Sequence, residues 1–284
     1  MLPRSMAWCV GILALTACTS QSAPIEPTPS PILTPQLILV QVLDREEYAV
    51  GNALMDATPR GTSIAYVPPS LLVPVVDGAV PTRRITLGAT PSEPDTLTPL
   101  TSAEAAFDLS MDGSWTLDLL AFAGLVDAVG GVIVEVPEAI VLTDSQGSGD
   151  IVITSGRQRL GGVAAAEYAT AAIPGGYPVE QIARFRDVWV SVLARLPDSP
   201  ERLRQILTSL GFLARTTATI DTLLVVLDSG RVSVLDRALV EQVVAVDVIR
   251  GGARPASVLT PEGSRTVATM FADFAAPSEQ VVPS

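Results

Sequence analysis

The chain has 284 residues and a formal net charge of −12, with 48% hydrophobic and 17% charged residues. So acidic a surface repels a phosphate backbone, which argues against nucleic-acid binding. All eighteen basic residues are arginine; with no histidine there is no common general base, no usual zinc ligand and no Ser-His-Asp or Cys-His site.

In chain order, Arg4 gives a short positive start, and an apolar run from Met6 to Leu15 follows. A run of roughly ten apolar residues after a basic start is an export signal, too short for a stable membrane span. It closes on Leu15, Thr16, Ala17 and Cys18, which resembles the bacterial lipobox. The resemblance implies cleavage after residue 17 and a thioether between the Cys18 thiol and diacylglycerol. The protein is then expected on the outer face of a bacterial cytoplasmic membrane, with membrane lipid as its first partner. The one other cysteine, Cys9, lies inside the signal, so the mature domain has no disulfide and rests on its core. Residues 18–35 carry Pro24, Pro27, Pro29, Pro31 and Pro35 among serines and threonines, the composition of an extended tether.

Beyond the tether, Gln36–Leu43 reads as a strand, and Thr62–Val67 and Leu71–Val76 as strands broken at Pro68-Pro69. Ser102–Met111 reads as a short helix, Trp115–Leu119 as a strand, and Leu120–Val129 as a helix stopped by Gly130-Gly131. Val132–Val136 alternates as a strand does and ends at Pro137; loops or short strands surround 144–154, and an alanine-rich helix covers Val163–Ala172. The clearest helix is Val179–Leu196, with Ile182, Phe185, Trp189, Val192, Leu193 and Leu196 on one stripe. Asp198-Ser199-Pro200 opens another over Glu201–Leu213, and Thr260-Pro261-Glu262 is a good helix start. The runs Leu223–Leu227, Arg231–Leu235 and Val240–Ile249 are apolar without a decisive period, and the tail from 276 to 284 reads as disordered. Alternating strands and helices give an α/β class.

The block Leu125-Val126-Asp127-Ala128-Val129-Gly130-Gly131-Val132-Ile133-Val134-Glu135-Val136-Pro137 resembles the LytR-CpsA-Psr family. Gly156, Leu160, Gly162, Ala165 and Tyr168 fit a second stretch of that family, and Arg186 falls on its arginine-bearing helix. The resemblance runs from Gln36 to Leu227, so the domain is set at 36–227, with 228–275 an extension of it or a small subdomain. It implies an α-β-α sandwich around a central mixed sheet, with a hydrophobic pocket for a polyprenyl chain. Active members of the family move a glycopolymer from polyprenyl pyrophosphate to the cell wall, with arginines on the diphosphate and aspartates on magnesium.

Against that pattern the charged positions are mostly replaced. The family's first aspartate falls on Pro35, its Arg-Asp pair on Pro69 and Ser70, and its Arg-x-Arg on Thr170 and Ala172. On the next helix the acid is Glu180, the first arginine is Ala183, and Arg186 alone matches, flanked by Arg184. Losing one oxyanion or phosphate donor typically costs about 3–4 kcal/mol of transition-state stabilisation. The reading that follows has no catalytic residues, metal ligands or cofactor: a lipid-anchored binding or scaffolding module for envelope assembly, its partners a polyprenyl lipid or assembly proteins. Arg186 and Arg184 remain the candidate phosphate contacts, although Arg186 has a plain alternative in pairing with Glu180 or Asp187. Asp127 has a plain role too, accepting backbone hydrogen bonds near the Gly-Gly turn. Two alternatives stay open. One is an active phosphotransferase built from rearranged residues such as Arg83, Arg84, Arg157, Arg159 and Asp108; the other is an unrelated α/β lipoprotein that binds a small ligand.

Overall fold

The computed structural model describes residues 34–77, 80–143, 150–171, 178–249 and 255–277. The signal, Cys18, the tether up to residue 33, Ala172 and the last seven residues of the tail lie outside them. The described residues all fall within one compact unit.

Three strands open the domain, β1 (Gln36–Leu43), β2 (Ala49–Ala57) and β3 (Ser63–Tyr66), followed by the hairpin of β4 (Leu72–Asp77) and β5 (Val80–Thr86). Next come α1 (Thr98–Phe107), β6 (Gly113–Leu117), α2 (Leu119–Ala128), β7 (Val132–Val136), β8 (Ile140–Thr143), β9 (Asp150–Ile153) and β10 (Gly156–Leu160). The helices α3 (Gly162–Thr170), α4 (Pro178–Leu193) and α5 (Pro200–Ser209) precede β11 (Ala214–Thr216) and α6 (Ile220–Leu235). The strands β12 (Val240–Val243), β13 (Val246–Ile249) and β14 (Ala256–Leu259) and the helix α7 (Pro261–Met270) complete it.

Six strands form the central sheet in the order β11-β6-β1-β2-β3-β12. β1 is antiparallel to β2 and parallel to β6, so the sheet is mixed, as expected for the α/β class. β12 lies parallel to β3 and supplies an edge strand, which builds residues beyond 228 into the main sheet. One sheet face carries Ile38, Val40, Met55 and Trp115 under α2 to α6. The other carries Leu37, Leu39 and Leu54 under α1, α7 and the β4–β5 hairpin. Strands covered on both faces lose hydrophobic alternation, and β1 and β2 bury nearly every residue. For that reason the sequence reading has no strand at Ala49–Ala57, where Gly51, Asn52 and Asp56 interrupt the apolar residues.

The layer between sheet and helices is filled with aromatic rings. Trp115, Trp189, Phe185, Phe122 and Tyr66 are all fully buried. Phe185 stacks on Trp189 with ring centres 6.2 Å apart and meets the edge of Tyr66 at 6.0 Å. Such rings bury large apolar areas and add about 0.5–1.5 kcal/mol per well-placed pair. Gly51 of β2 makes room for this cluster, since a Cβ there would stand 2.6 Å from the Phe185 ring.

Helix bounds move by a few residues from the sequence reading, each for a local reason. α1 begins four residues earlier because Pro99 fits a first turn, and it stops where Asp108 turns left-handed at φ 55°. α5 ends at Ser209, and Gly211 at φ 59° leads into one 3-10 turn instead of a continued helix. α6 joins two runs that sequence left undecided; its valines blur the helical period, and its signal is Thr219, whose Oγ1 accepts the Thr222 amide at 3.1 Å.

Candidate functional site

Arg184 and Arg186 both project from α4, whose first turn starts beside the C-terminal end of α3. Arg184 is buried and turned inward. Its Nε donates to the Tyr168 carbonyl at 2.9 Å and its Nη2 to the Ala171 carbonyl at 2.6 Å. Gln181, one turn earlier, donates to the Thr170 carbonyl. Carbonyls of a last helical turn lack intrahelical partners, and a cation placed there also meets the negative end of the helix dipole. Arg184 thus closes the end of α3. The guanidinium centre also stands 6.0 Å from the Tyr168 ring centroid. Burial lowers its pKa, opposed by Tyr168 and Glu180.

Arg186 points elsewhere. Its Nε and Nη2 both reach Asp187 Oδ1, at 3.2 and 3.0 Å. Partial burial pulls its pKa down, but the Asp187 carboxylate, with Glu241 behind it, outweighs this and leaves it raised. Glu241 in turn accepts the hydroxyl of buried Tyr66 at 2.8 Å, and burial, then Glu241, pushes that phenol well above its ordinary value. So each arginine already has partners within the fold.

A cavity of about 480 Å³ opens beside Arg184, between α4 and the segment 137–141. Among the described residues its charged lining is Glu138, Glu180 and Asp187 against Arg184. A carboxylate about 4 Å from a phosphoryl charge costs roughly 4 kcal/mol at the effective dielectric near a protein surface. Three acids, one of them carrying Arg186, facing a guanidinium already engaged by carbonyls are a poor cradle for a diphosphate. Among the described residues no group of three or more acidic, histidine or cysteine side chains is placed to hold a metal ion.

Asp127 is also committed. Its Oδ1 accepts the Gly162 amide at 2.6 Å, across 35 residues of sequence. The partner is the first turn of α3, not the neighbouring Gly130-Gly131 turn, so Asp127 supplies the cap that Gly161 has no side chain to give. Gly162 is required there, since a Cβ would meet the Ala123 carbonyl at 2.2 Å and Asp127 Oδ2 at 2.5 Å.

The rearranged set is not gathered. Arg83 and Arg84 lie on the β4–β5 hairpin, Arg83 paired with Glu93, while Arg157 and Arg159 lie on β10 in its separate pairing with β7. Arg159 Nη1 donates to the Gly130 carbonyl at 2.8 Å, and Asp108 ends α1. Three features escaped sequence reading. Arg45 pairs with the buried carboxylate of Glu167 on α3 at 2.6 Å. Asp56 is buried on β2, and desolvation raises its pKa to about 7 despite a 2.5 Å hydrogen bond from the Ser63 amide. The third is a polar row across the sheet, for which Gln41 inside the run Leu37–Leu43 was the one visible signal.

Fold and site together define an α/β domain with a central mixed sheet, an acid-lined cavity beside α4 and an aromatic core. Residues 99–172 match the LytR_cpsA_psr family, and the two sequence stretches that carried the resemblance, 125–137 and 156–168, lie inside that match. Over that segment the chain is similar to the LytR_cpsA_psr family. Its structure is similar to B. subtilis TagV, with 14% identity, a TM-score of 0.69, and coverage of 84% of this chain and 96% of that one. It is similar also to gbs0355 of Streptococcus agalactiae (16% identity, TM-score 0.71, covering 88% and 91%). A LytR-Csp2A-Psr enzyme from Actinomyces oris aligns at 18% identity and TM-score 0.63, over 86% and 92%. At such identities these structures establish a shared fold alone. No curated protein matches the chain by sequence. Among the described residues no helix is long and apolar enough to cross a membrane.

Proposed function

We propose that this chain is an extracytoplasmic, lipid-anchored envelope protein whose LytR-CpsA-Psr domain serves as a non-catalytic binding or scaffolding module in envelope assembly. The family match supports the envelope setting, and Cys18 with its preceding apolar run supports the anchor. One observation carries the non-catalytic part. The cavity beside the family's arginine-bearing helix presents Glu138, Glu180 and Asp187, while Arg184 is spent on α3 carbonyls and Arg186 on Asp187. A diphosphate leaving group needs donors and cations aimed at its developing charge, and this lining offers the opposite sign. The aromatic rings packed between sheet and helices favour scaffolding over sequestration of a polyprenyl chain, because a chain entering that layer would have to displace them.

The test is turnover. The chain is incubated with a polyprenyl-pyrophosphate-linked glycan, an acceptor wall polymer and magnesium, and release of polyprenyl phosphate is followed. No release above the protein-free control is expected. Release that disappears in Arg186→Ala would restore the phosphotransferase reading.

A further inference from the structure

On the face of the sheet away from α4, a polar row crosses four adjacent strands. The register sets Asn52 of β2 opposite Gln41 of β1, Gln41 beside Thr116 of β6, and Thr116 opposite Arg215 of β11. Gln41, Asn52 and Thr116 are buried. Gln41 Nε2 donates to Asn52 Oδ1 at 2.9 Å and lies 3.4 Å from both the Leu87 carbonyl and Thr90 Oγ1. Thr116 Oγ1 reaches Gln41 Oε1 at 3.4 Å, a bond near the useful limit. A buried row of amides and hydroxyls in an otherwise apolar sheet costs free energy unless it is satisfied. Here its outer end opens into a cavity.

That cavity, of about 270 Å³, lies at the β6–β11 edge of the sheet beneath α1. Its polar lining includes Asp95, Ser114, Thr116, Arg215 and Thr217. Arg215 makes one long contact, from Nη1 to the Pro91 carbonyl at 3.3 Å, and forms no ion pair among the described residues. The Ser114 and Thr217 hydroxyls are joined by one hydrogen bond at 3.1 Å, and Thr217 Oγ1 also accepts the Ser114 amide at 2.8 Å, which still leaves one hydroxyl proton to donate and a lone pair on Ser114 to accept. Pro91 and Pro99 supply apolar walls.

We propose that this cavity binds one neutral sugar residue. The charge balance selects against the other classes: an anion drawn to Arg215 meets Asp95, and a cation drawn to Asp95 meets Arg215. A sugar hydroxyl both donates and accepts, so it satisfies a donor-only guanidinium, an acceptor-only carboxylate and the hydroxyls together. The proline walls suit the C–H face of a ring, and the volume is below that of pockets for drug-sized ligands, of about 300–1,000 Å³. The site lies on the opposite sheet face from α4 and does not depend on whether the family chemistry survives there.

The experiment titrates the full chain with glucose, N-acetylglucosamine, glycerol and inorganic phosphate while amide chemical shifts are recorded. Saturable shifts at Ser114, Thr116, Arg215 and Thr217 are expected for at least one sugar, with an affinity near the millimolar range. Arg215 is exposed, so Arg215→Ala is expected to keep the fold and weaken sugar binding about tenfold, the effect of losing one charged hydrogen bond. Thr217→Val, checked for an unchanged spectrum elsewhere, is expected to weaken it as well. The proposal is overturned by saturation with phosphate but no sugar, by sugar shifts that map to other residues, by shifts indifferent to both substitutions, or by no saturation with any probe.

Discussion

Replacing Asp56 with asparagine removes a carboxyl group that the fold holds in its less comfortable state at neutral pH. Asp56 is 2% exposed, and burial pushes its pKa from 3.8 to about 7, with Asp273 adding to the rise and the Ser63 amide and Arg60 opposing it. A folded-state pKa above the unfolded value means the folded protein binds the proton more tightly. The stabilisation is then complete below about pH 4 and is lost as pH rises through 7. A shift of about three units corresponds to at most about 4 kcal/mol. Asparagine resembles the protonated acid in shape and still offers Oδ1 to the Ser63 amide, so the variant should escape this loss. Urea unfolding of both proteins at pH 5 and pH 8 measures the effect. Asp56→Asn should be more stable than the parent by about 1–2 kcal/mol at pH 5 and by about 4 kcal/mol at pH 8. Equal differences at the two pH values, or a variant weaker at pH 8, would refute the reasoning.

Two other substitutions test the packing that positions the site. Asp127→Ala removes the cap on α3 and should cost about 1–2 kcal/mol in chemical denaturation, with Asp127→Asn losing less because an acceptor remains. Gly51→Ala drives a methyl group to 2.6 Å from the Phe185 ring inside a packed cluster, and should cost about 1–3 kcal/mol with altered near-ultraviolet signals from Trp189.

The sequence made the helical side of the fold readable and left much of the sheet obscure, for a physical reason. α4 advertises itself because one side faces water, so Ile182, Phe185 and Trp189 recur against polar neighbours. β7 does the same with period two, since Ile133 and Glu135 are exposed between buried valines. β2 has no exposed face and no pattern; its Gly51, Asn52 and Asp56 belong to a tight ring contact and to polar partners on neighbouring elements. α6 was obscured by Gly230, which looks like a break but sits where a Cβ would meet Met55 at 2.2 Å. The site was legible in outline. Arg184 and Arg186 were found on the expected helix, but their partners, the Tyr168 and Ala171 carbonyls and the Asp187 carboxylate, depend on how α3 meets α4 and on rotamers that spacing does not give. Asp127 shows the same limit, since its partner lies 35 residues away.

The central claim is that the cavity beside α4 lacks the charge to hold a diphosphate. Calorimetric titration of the chain with a short-chain polyprenol, its monophosphate and its diphosphate, each with and without magnesium, tests it most directly. Phosphate groups and magnesium are expected to leave affinity unchanged or to weaken it. A diphosphate bound at least tenfold more tightly than the alcohol, tightened further by magnesium and released by Arg184→Gln or Arg186→Gln, would contradict it.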